Sequence, residues 1–177
     1  MELGEGLSLR PLLESDAGLI FSVVEANREH LRRFLPWVDP TRSISDTLAY
    51  IRDQHRRREA ADSLAYTIWL RNDFCGVIGV HRIDLTNSKM EIGYWLKEAA
   101  QGRGLMTRAC QAVIRMGFSQ LAMERIEIRV APANTRSLAI PARLGFTYEG
   151  TLRHAQLVNG RFLDLQIYSL LAHEYNV

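Results

Sequence analysis

Hydrophobic and polar positions change their period several times along the chain, and each change predicts an element. Leu7-Ser8-Leu9-Arg10-Pro11-Leu12 alternates and predicts a short first strand. Ser15-Asp16 can cap a helix, and Ile20, Val23, Val24, Asn27, Leu31 and Phe34 follow at helical spacing, so one helix is expected up to Pro36. Ile44, Leu48 and Ile51 predict a second helix that continues through Gln54–Arg58. Ala65–Leu70 and Cys75–Val80 read as strands joined by the turn Arg71-Asn72-Asp73. Lys89–Leu96 (KMEIGYWL) reads as another strand, and Leu105–Phe118 as a helix. Ile126, Ile128 and Val130 alternate with Glu127 and Arg129, which predicts a strand with one wet face. Asn134–Leu144 predicts a short helix ended by Gly145, and a strand follows from Gly145. Asn159-Gly160 is a strong hairpin turn before a last strand, Phe162–Leu171. The expected order is β-α-α-β-β-β-α-β-α-β-β, a mixed α/β domain that takes in the whole chain.

One segment does not fit plain punctuation. Residues 101–107 read QGRGLMT, with two glycines at the entrance to a helix. Glycine permits backbone angles that other residues avoid. The first N–H groups of a helix have no helical partner, and the helix dipole favours an anion beside them. The segment is therefore either a phosphate cradle or a loop entering a helix. It is not a nucleotide P-loop, because no GxxxxGK[ST] string occurs. It is not a dinucleotide fingerprint either, since the third glycine is missing and the loop follows several strands.

Composition narrows the classes. The 177 residues suffice for one sizeable core. The net charge of +2, from 22 basic and 20 acidic residues, gives no basis for nucleic-acid binding. The basic run His55-Arg56-Arg57-Arg58 reads more simply as a solvated helix face. Cys75 and Cys110 are not in CxxC spacing and have no zinc-spaced histidines, so buried free thiols and no metal are expected. No apolar run has membrane-spanning length, and the acidic N-terminus lacks a signal-peptide core. A reducing cytoplasm fits this usage, and no membrane association is expected.

Five stretches together carry a family resemblance: LPWVD (35–39), EIGYWL (91–96), QGRGLMT (101–107), NTRSLAIPARLGF (134–146) and HAQLVNGRFLDLQIYSLL (154–171). With them the chain resembles the GNAT superfamily of acetyl-CoA-dependent N-acetyltransferases, and within it the RimJ/RimL group that acetylates N-terminal amines of ribosomal proteins. The resemblance implies an α/β (α+β) fold with a central mixed twisted sheet of about seven strands flanked by about four helices, splayed between strands 4 and 5 to admit acetyl-CoA. It implies that Tyr94, Trp95 and Leu96 offer main-chain bonds to the pantetheine arm. Gln101, Gly102, Arg103, Gly104, Leu105, Met106 and Thr107 would hold the pyrophosphate, and Asn134 would contact the coenzyme arm. It also suggests a homodimer.

The reaction needs a neutral amine, a stabilised thioester oxygen and a partner for the leaving thiolate. An α-amine has a pKa near about 8 and a lysine near about 10.4, so a terminal amine needs less help from a base. Many family members place an acidic tyrosine where this chain has Pro141; the RimJ/RimL group places a serine where this chain has Ser137. Pro141 has no N–H, so the Ser137 carbonyl loses its i+4 partner and the helix is expected to bend there. A local cap is the alternative for Ser137. Gln156 stands where some members carry a glutamate base, and glutamine cannot take that proton. Glu91 is the replacement candidate, against an arginine-paired structural carboxylate. His154 is read as an exposed loop histidine, and Asp164 as structural or substrate-orienting. Trp37 is expected at the acceptor groove, with a core tryptophan as the alternative. Trp69 and Trp95 are read as structural or coenzyme-adjacent. The acceptor is expected to be a protein N-terminus. A small amine, or a coenzyme-binding module without catalysis, remains the alternative.

Overall fold

The computed structural model describes residues 1–175. Strand β1 (Leu7–Pro11) is followed by helices α1 (Ala17–Ala26), α2 (Arg28–Leu31) and α3 (Ile44–Glu59). Strands β2 (Leu64–Leu70), β3 (Asp73–Asp84) and β4 (Lys89–Leu96) come next, then α4 (Leu105–Ser119) and β5 (Arg125–Val130). Helix α5 (Thr135–Arg143) and strands β6 (Thr147–Val158) and β7 (Arg161–Leu171) complete the order. The strands form one sheet, β1-β2-β3-β4-β5-β7-β6. All neighbours are antiparallel except β4 and β5.

The alternation along each strand divides the interior into two cores, because successive side chains face opposite sides of a sheet. Met90, Ile92 and Leu96 of β4 join Ala109, Cys110, Val113 and Ile114 of α4 and Ile126 and Ile128 of β5 in the larger core. On the other face, Ile20 and Val24 of α1, Ile51 of α3, Val38, Phe74 and Val77 form the second core, with Trp69 and Trp95 packed on it.

The parallel register runs from Lys89 opposite Arg125 to Ile92 opposite Ile128, and stops there. Beyond it, β4 continues through Gly93–Leu96 paired only with β3, while Arg129 and Val130 of β5 stay on β7. The sheet is thus splayed between β4 and β5, as the resemblance implied. Helix count differs slightly, with five α-helices of which α2 is one turn.

The single helix expected from Ile20 to Phe34 is broken at Asn27. The Asn27 amide donates to the Val23 carbonyl at 2.8 Å, and its side-chain oxygen accepts the Glu98 N–H at 2.9 Å. An asparagine that bonds nearby backbone competes with helix continuation. Here a contact 71 residues away in sequence reinforces the break, and local periodicity cannot register it.

Gly76 lets β3 lie close against β4. A Cβ at this position would stand 2.1 Å from the Trp95 carbonyl oxygen, at a φ of +158°. Gly76→Ala must push β3 away from the segment of β4 that borders the splay. A loss of about 2 kcal/mol or more is expected, read as a lower urea midpoint at unchanged m value.

Candidate active site

Three pieces of backbone meet at the splay. The first is the free edge of β4 from Gly93 to Leu96, which has no β5 partner. The second is the N-terminus of α4. Gly102 and Gly104 both sit at φ +73°, in the left-handed region that favours glycine. Nothing lies within 4 Å of where a Cβ would stand at either one. Gly104 is the N-cap, and no side chain caps the helix. Arg108 N–H is satisfied by the Gly104 carbonyl at 3.1 Å, so the earlier N–H groups of the first turn face an open hollow. Leu105 and Met106 anchor that turn by burying their side chains. The two glycines therefore serve conformation and open space together.

The third piece is α5. Asn134 is its N-cap, and its side-chain oxygen accepts the Ser137 N–H at 3.3 Å. Ser137 faces Tyr94 of β4: the Ser137 hydroxyl donates to the Tyr94 hydroxyl at 3.3 Å. The larger-core face of β4 carries Tyr94, and the opposite face carries Trp95. The structure thus brings Asn134, Ser137 and Tyr94 together beside the open edge.

Gln101 is held by side chains that sequence reasoning did not single out. Arg136 donates to its side-chain oxygen at 2.5 Å. Its amide nitrogen lies 2.6 Å from His30 Nε2 and must donate there, so His30 is neutral. Burial pushes the His30 pKa down, in agreement. His30 sits in α2, and only the fold carries it to the loop before α4. Arg136 lies two residues after Asn134 in the quoted NTRS stretch, so it was the more findable of the two.

Glu91 lies elsewhere, one residue before the parallel register ends. Arg82 donates to its Oε2 at 3.1 Å, and Arg129 Nε stands 3.2 Å from the same oxygen. The Arg129 contact is a charge contact, since that Nε makes no directed hydrogen bond. Burial raises the Glu91 pKa, and the two guanidinium groups oppose it only in part. The carboxylate starts a ladder across the sheet. Arg129 also binds Glu127 at 3.0 Å; Arg125 binds Glu127 at 2.8 Å and Glu149 at 2.7 Å. Ser169 adds a hydroxyl donor to Glu149 at 2.8 Å.

Trp37 is 36% exposed and packs at 5.8 Å on Trp95; Trp95 packs on Phe74 at 5.9 Å, and Phe74 on Trp69 at 5.6 Å. Gln156 is half-buried on β6 opposite Leu163, where the β6–β7 register resumes after an irregularity that begins at Leu152. Inside that irregularity His154 has φ +49°, and its N–H donates to Asp164 at 2.8 Å. Asp164 thus fixes the backbone there. The His154 ring stacks on Phe162 at 5.7 Å. Among the described residues no hydrogen bond or ion pair joins Glu91 or Gln156 to Ser137, and no group of three or more His, Cys, Asp or Glu is placed to hold a metal ion. No described helix is long and apolar enough to cross a membrane.

The family described as "Acetyltransferase (GNAT) domain" matches residues 7–147. The chain therefore belongs to the GNAT acetyltransferases. A putative ribosomal N-acetyltransferase, YdaF of Bacillus subtilis (strain 168), is 34% identical over 98% of this chain and 96% of that protein. RimL, a ribosomal L7/L12 alpha-N-protein acetyltransferase solved with coenzyme A, is similar at a TM-score of 0.93 and 26% identity, covering 98% of both chains. The microcin C7 self immunity acetyltransferase MccE, solved with acetyl-CoA and AMP, has a TM-score of 0.91 at 26% identity, covering 97% of this chain and 95% of that one.

The ladder makes a pH prediction. The Arg125 guanidinium, with the Ser169 hydroxyl beside it, holds the Glu149 carboxyl down at about 2. A depressed carboxyl contributes stability that is complete above its unfolded value, near about 4.3, and is lost as pH falls through its folded value. Glu149 is 38% exposed at its side chain, so solvent screening keeps this contribution below about 1 kcal/mol. Glu149→Gln should lower the urea midpoint at pH 7, and the difference from wild type should shrink steadily between pH 4 and pH 2.

Proposed function

We propose that this enzyme transfers the acetyl group of acetyl-CoA directly to the N-terminal α-amine of a protein, with a ribosomal protein as the first candidate. The observation that carries the reading is the convergence of an unpaired strand edge, an uncapped helix N-terminus and a serine hydroxyl beside one gap. An extended ligand with an amide-bearing arm, a pyrophosphate and a thioester matches those three features in order. The main chain of Tyr94, Trp95 and Leu96 would pair with the arm as a missing β5 neighbour would. The N–H groups from Gly102 to Thr107 would take the pyrophosphate, with Gln101 and Arg103 at its margin. The Asn134 amide nitrogen is available to the arm, because capping uses only the oxygen. The likeness to proteins solved with coenzyme A and acetyl-CoA supports the same ligand.

In the transfer the amine nitrogen attacks the acyl carbon and forms the N–C bond. The C–S bond then breaks with its electron pair going to sulfur. Ser137 is the proposed donor to that sulfur, and the nitrogen sheds a proton, so charge balances. Glu91 is the proposed acceptor of the nitrogen's proton through solvent. Its raised pKa suits that task, and the Arg82 hydrogen bond falls on Oε2, with no hydrogen bond to Oε1 among the described residues. Direct transfer is supported by the cysteines. Burial pushes the pKa of both Cys75 and Cys110 up, so neither supplies a thiolate for an acyl-enzyme. Two buried free thiols also support a reducing compartment such as the cytoplasm. Trp37, half-exposed on Trp95, and Gln156 are proposed to border the acceptor. Gln156 in place of a carboxylate is the one feature that favours a small-amine acceptor instead.

Intact-mass spectrometry after incubation with acetyl-CoA tests the reading against total ribosomal proteins and a small-amine library. One added acetyl group on the N-terminus of a ribosomal protein is expected. Acetylation confined to the small amines would keep the transferase and discard the protein acceptor; coenzyme binding without turnover in either pool would discard catalysis. Independently, Gly104→Ala forces alanine into the left-handed region and fills the hollow, and calorimetry should show coenzyme A binding weakened about tenfold.

A further inference from the structure

Pro141 lies inside α5. Lacking an N–H, it leaves the Ser137 carbonyl without the donor that position i+4 normally supplies. The Tyr94 hydroxyl takes that place, donating to the Ser137 carbonyl at 3.4 Å. The same phenol oxygen accepts the Ser137 hydroxyl at 3.3 Å. One tyrosine therefore binds one serine twice, through its main chain and through its side chain. Tyr94 makes no other side-chain hydrogen bond among the described residues. Burial raises its pKa, so the phenol stays neutral at working pH.

We infer that Tyr94 is a positioning residue for acetyl transfer: its phenol, anchored on the carbonyl that Pro141 orphans, fixes the Ser137 hydroxyl at the gap and keeps its proton parked until the thiolate departs. The inference rests on the proposed role of Ser137 as donor to the sulfur. Both contacts are long for hydroxyl hydrogen bonds, so the Ser137 hydroxyl can leave Tyr94 at small cost. As the C–S bond breaks, the Ser137 O–H turns from the phenol to the sulfur and passes its proton. The proton shed by the nitrogen passes through solvent to Glu91, which releases it to solvent; solvent returns one proton to the Ser137 oxygen, which then resumes its bond to Tyr94. Tyr94 neither gains nor loses a proton. Its main-chain groups would serve the coenzyme arm while its side chain serves the serine, which couples ligand placement to hydroxyl placement within one residue.

The test is a double-mutant cycle on the purified enzyme. Thiol release from acetyl-CoA is followed with a short synthetic peptide bearing an N-terminal serine, and with water alone as acceptor. Tyr94→Phe should lower kcat about tenfold and leave the KM for acetyl-CoA within about twofold. Ser137→Ala should lower kcat about a hundredfold, and adding Tyr94→Phe to it should cost no more than about twofold further. A merely structural Tyr94 would give the same loss in both backgrounds, and that outcome overturns the inference. So does wild-type kcat in Tyr94→Phe. If Ser137→Ala keeps full turnover, the serine assignment falls and the inference with it. If only Tyr94→Phe is without effect, the inference falls alone. Wild type silent with both acceptors overturns transferase and inference together. Should Tyr94→Phe not fold, Pro141→Ala replaces it. That change restores the helical donor to the Ser137 carbonyl and releases Tyr94. It should lower kcat in wild type and change nothing in Ser137→Ala; equal losses in both overturn the inference.

Discussion

The free edge of β4 is the constraint on which the site depends. After Ile92 the strand loses its parallel neighbour but keeps its extended conformation through Leu96, because β3 holds the other edge. Backbone groups on the open side find no partner among the described residues. Unpaired main-chain donors and acceptors in a partly buried gap cost free energy unless something satisfies them. A ligand with its own amides removes that cost, so strand pairing becomes ligand binding. The close approach of β3 to β4 at Gly76 and the packing of β4 on α4 hold this edge in place while it is unpaired.

The same strand sorts the chemistry by parity. Tyr94 faces the core under α4 and α5 and meets Ser137. Glu91 is three residues earlier and so lies on the other face, among Arg82 and Arg129. On the proposed reading, the sulfur is handled from the Tyr94 side and the amine from the Glu91 side. That separation suits a direct transfer, in which nucleophile and leaving group occupy different sides of the acyl carbon. It also keeps the carboxylate away from a sulfur that must become transiently negative, where a second negative charge would be repelled.

Much of this was legible in the sequence, and the exceptions share a cause. The strands and helices follow from period two and period 3.6, and the Asn159-Gly160 turn from its dipeptide, because those signals are local. QGRGLMT was visible as a helix entrance with two glycines, and both adopt the left-handed conformation that such a reading requires. The kink at Asn27 was not legible, since its amide answers to Glu98 across the fold. The side-chain role of Tyr94 was hidden for the same reason. Pro141 announced that the Ser137 carbonyl would lose its donor, but only the tertiary structure shows which residue replaces it. For Glu91 the sequence left two readings open, base or arginine partner. The structure supplies the arginines, and the one hydrogen bond to the carboxylate among the described residues falls on Oε2, so pairing and proton transfer are not exclusive.

A weak base is consistent with this arrangement because of what an α-amine demands. With a pKa near about 8 it is partly neutral at physiological pH, whereas a lysine near about 10.4 is almost wholly protonated. An enzyme for terminal amines can therefore devote its structure to placing the thioester and its leaving group, and leave deprotonation largely to solvent. On the proposed reading, a glutamine rather than a carboxylate at position 156 is compatible with that regime. On the same reading the order in this site matches: the sulfur side is built from a doubly bonded serine, a capping asparagine and a helix that carries Pro141. On the amine side stands one carboxylate whose nearest partners are structural arginines.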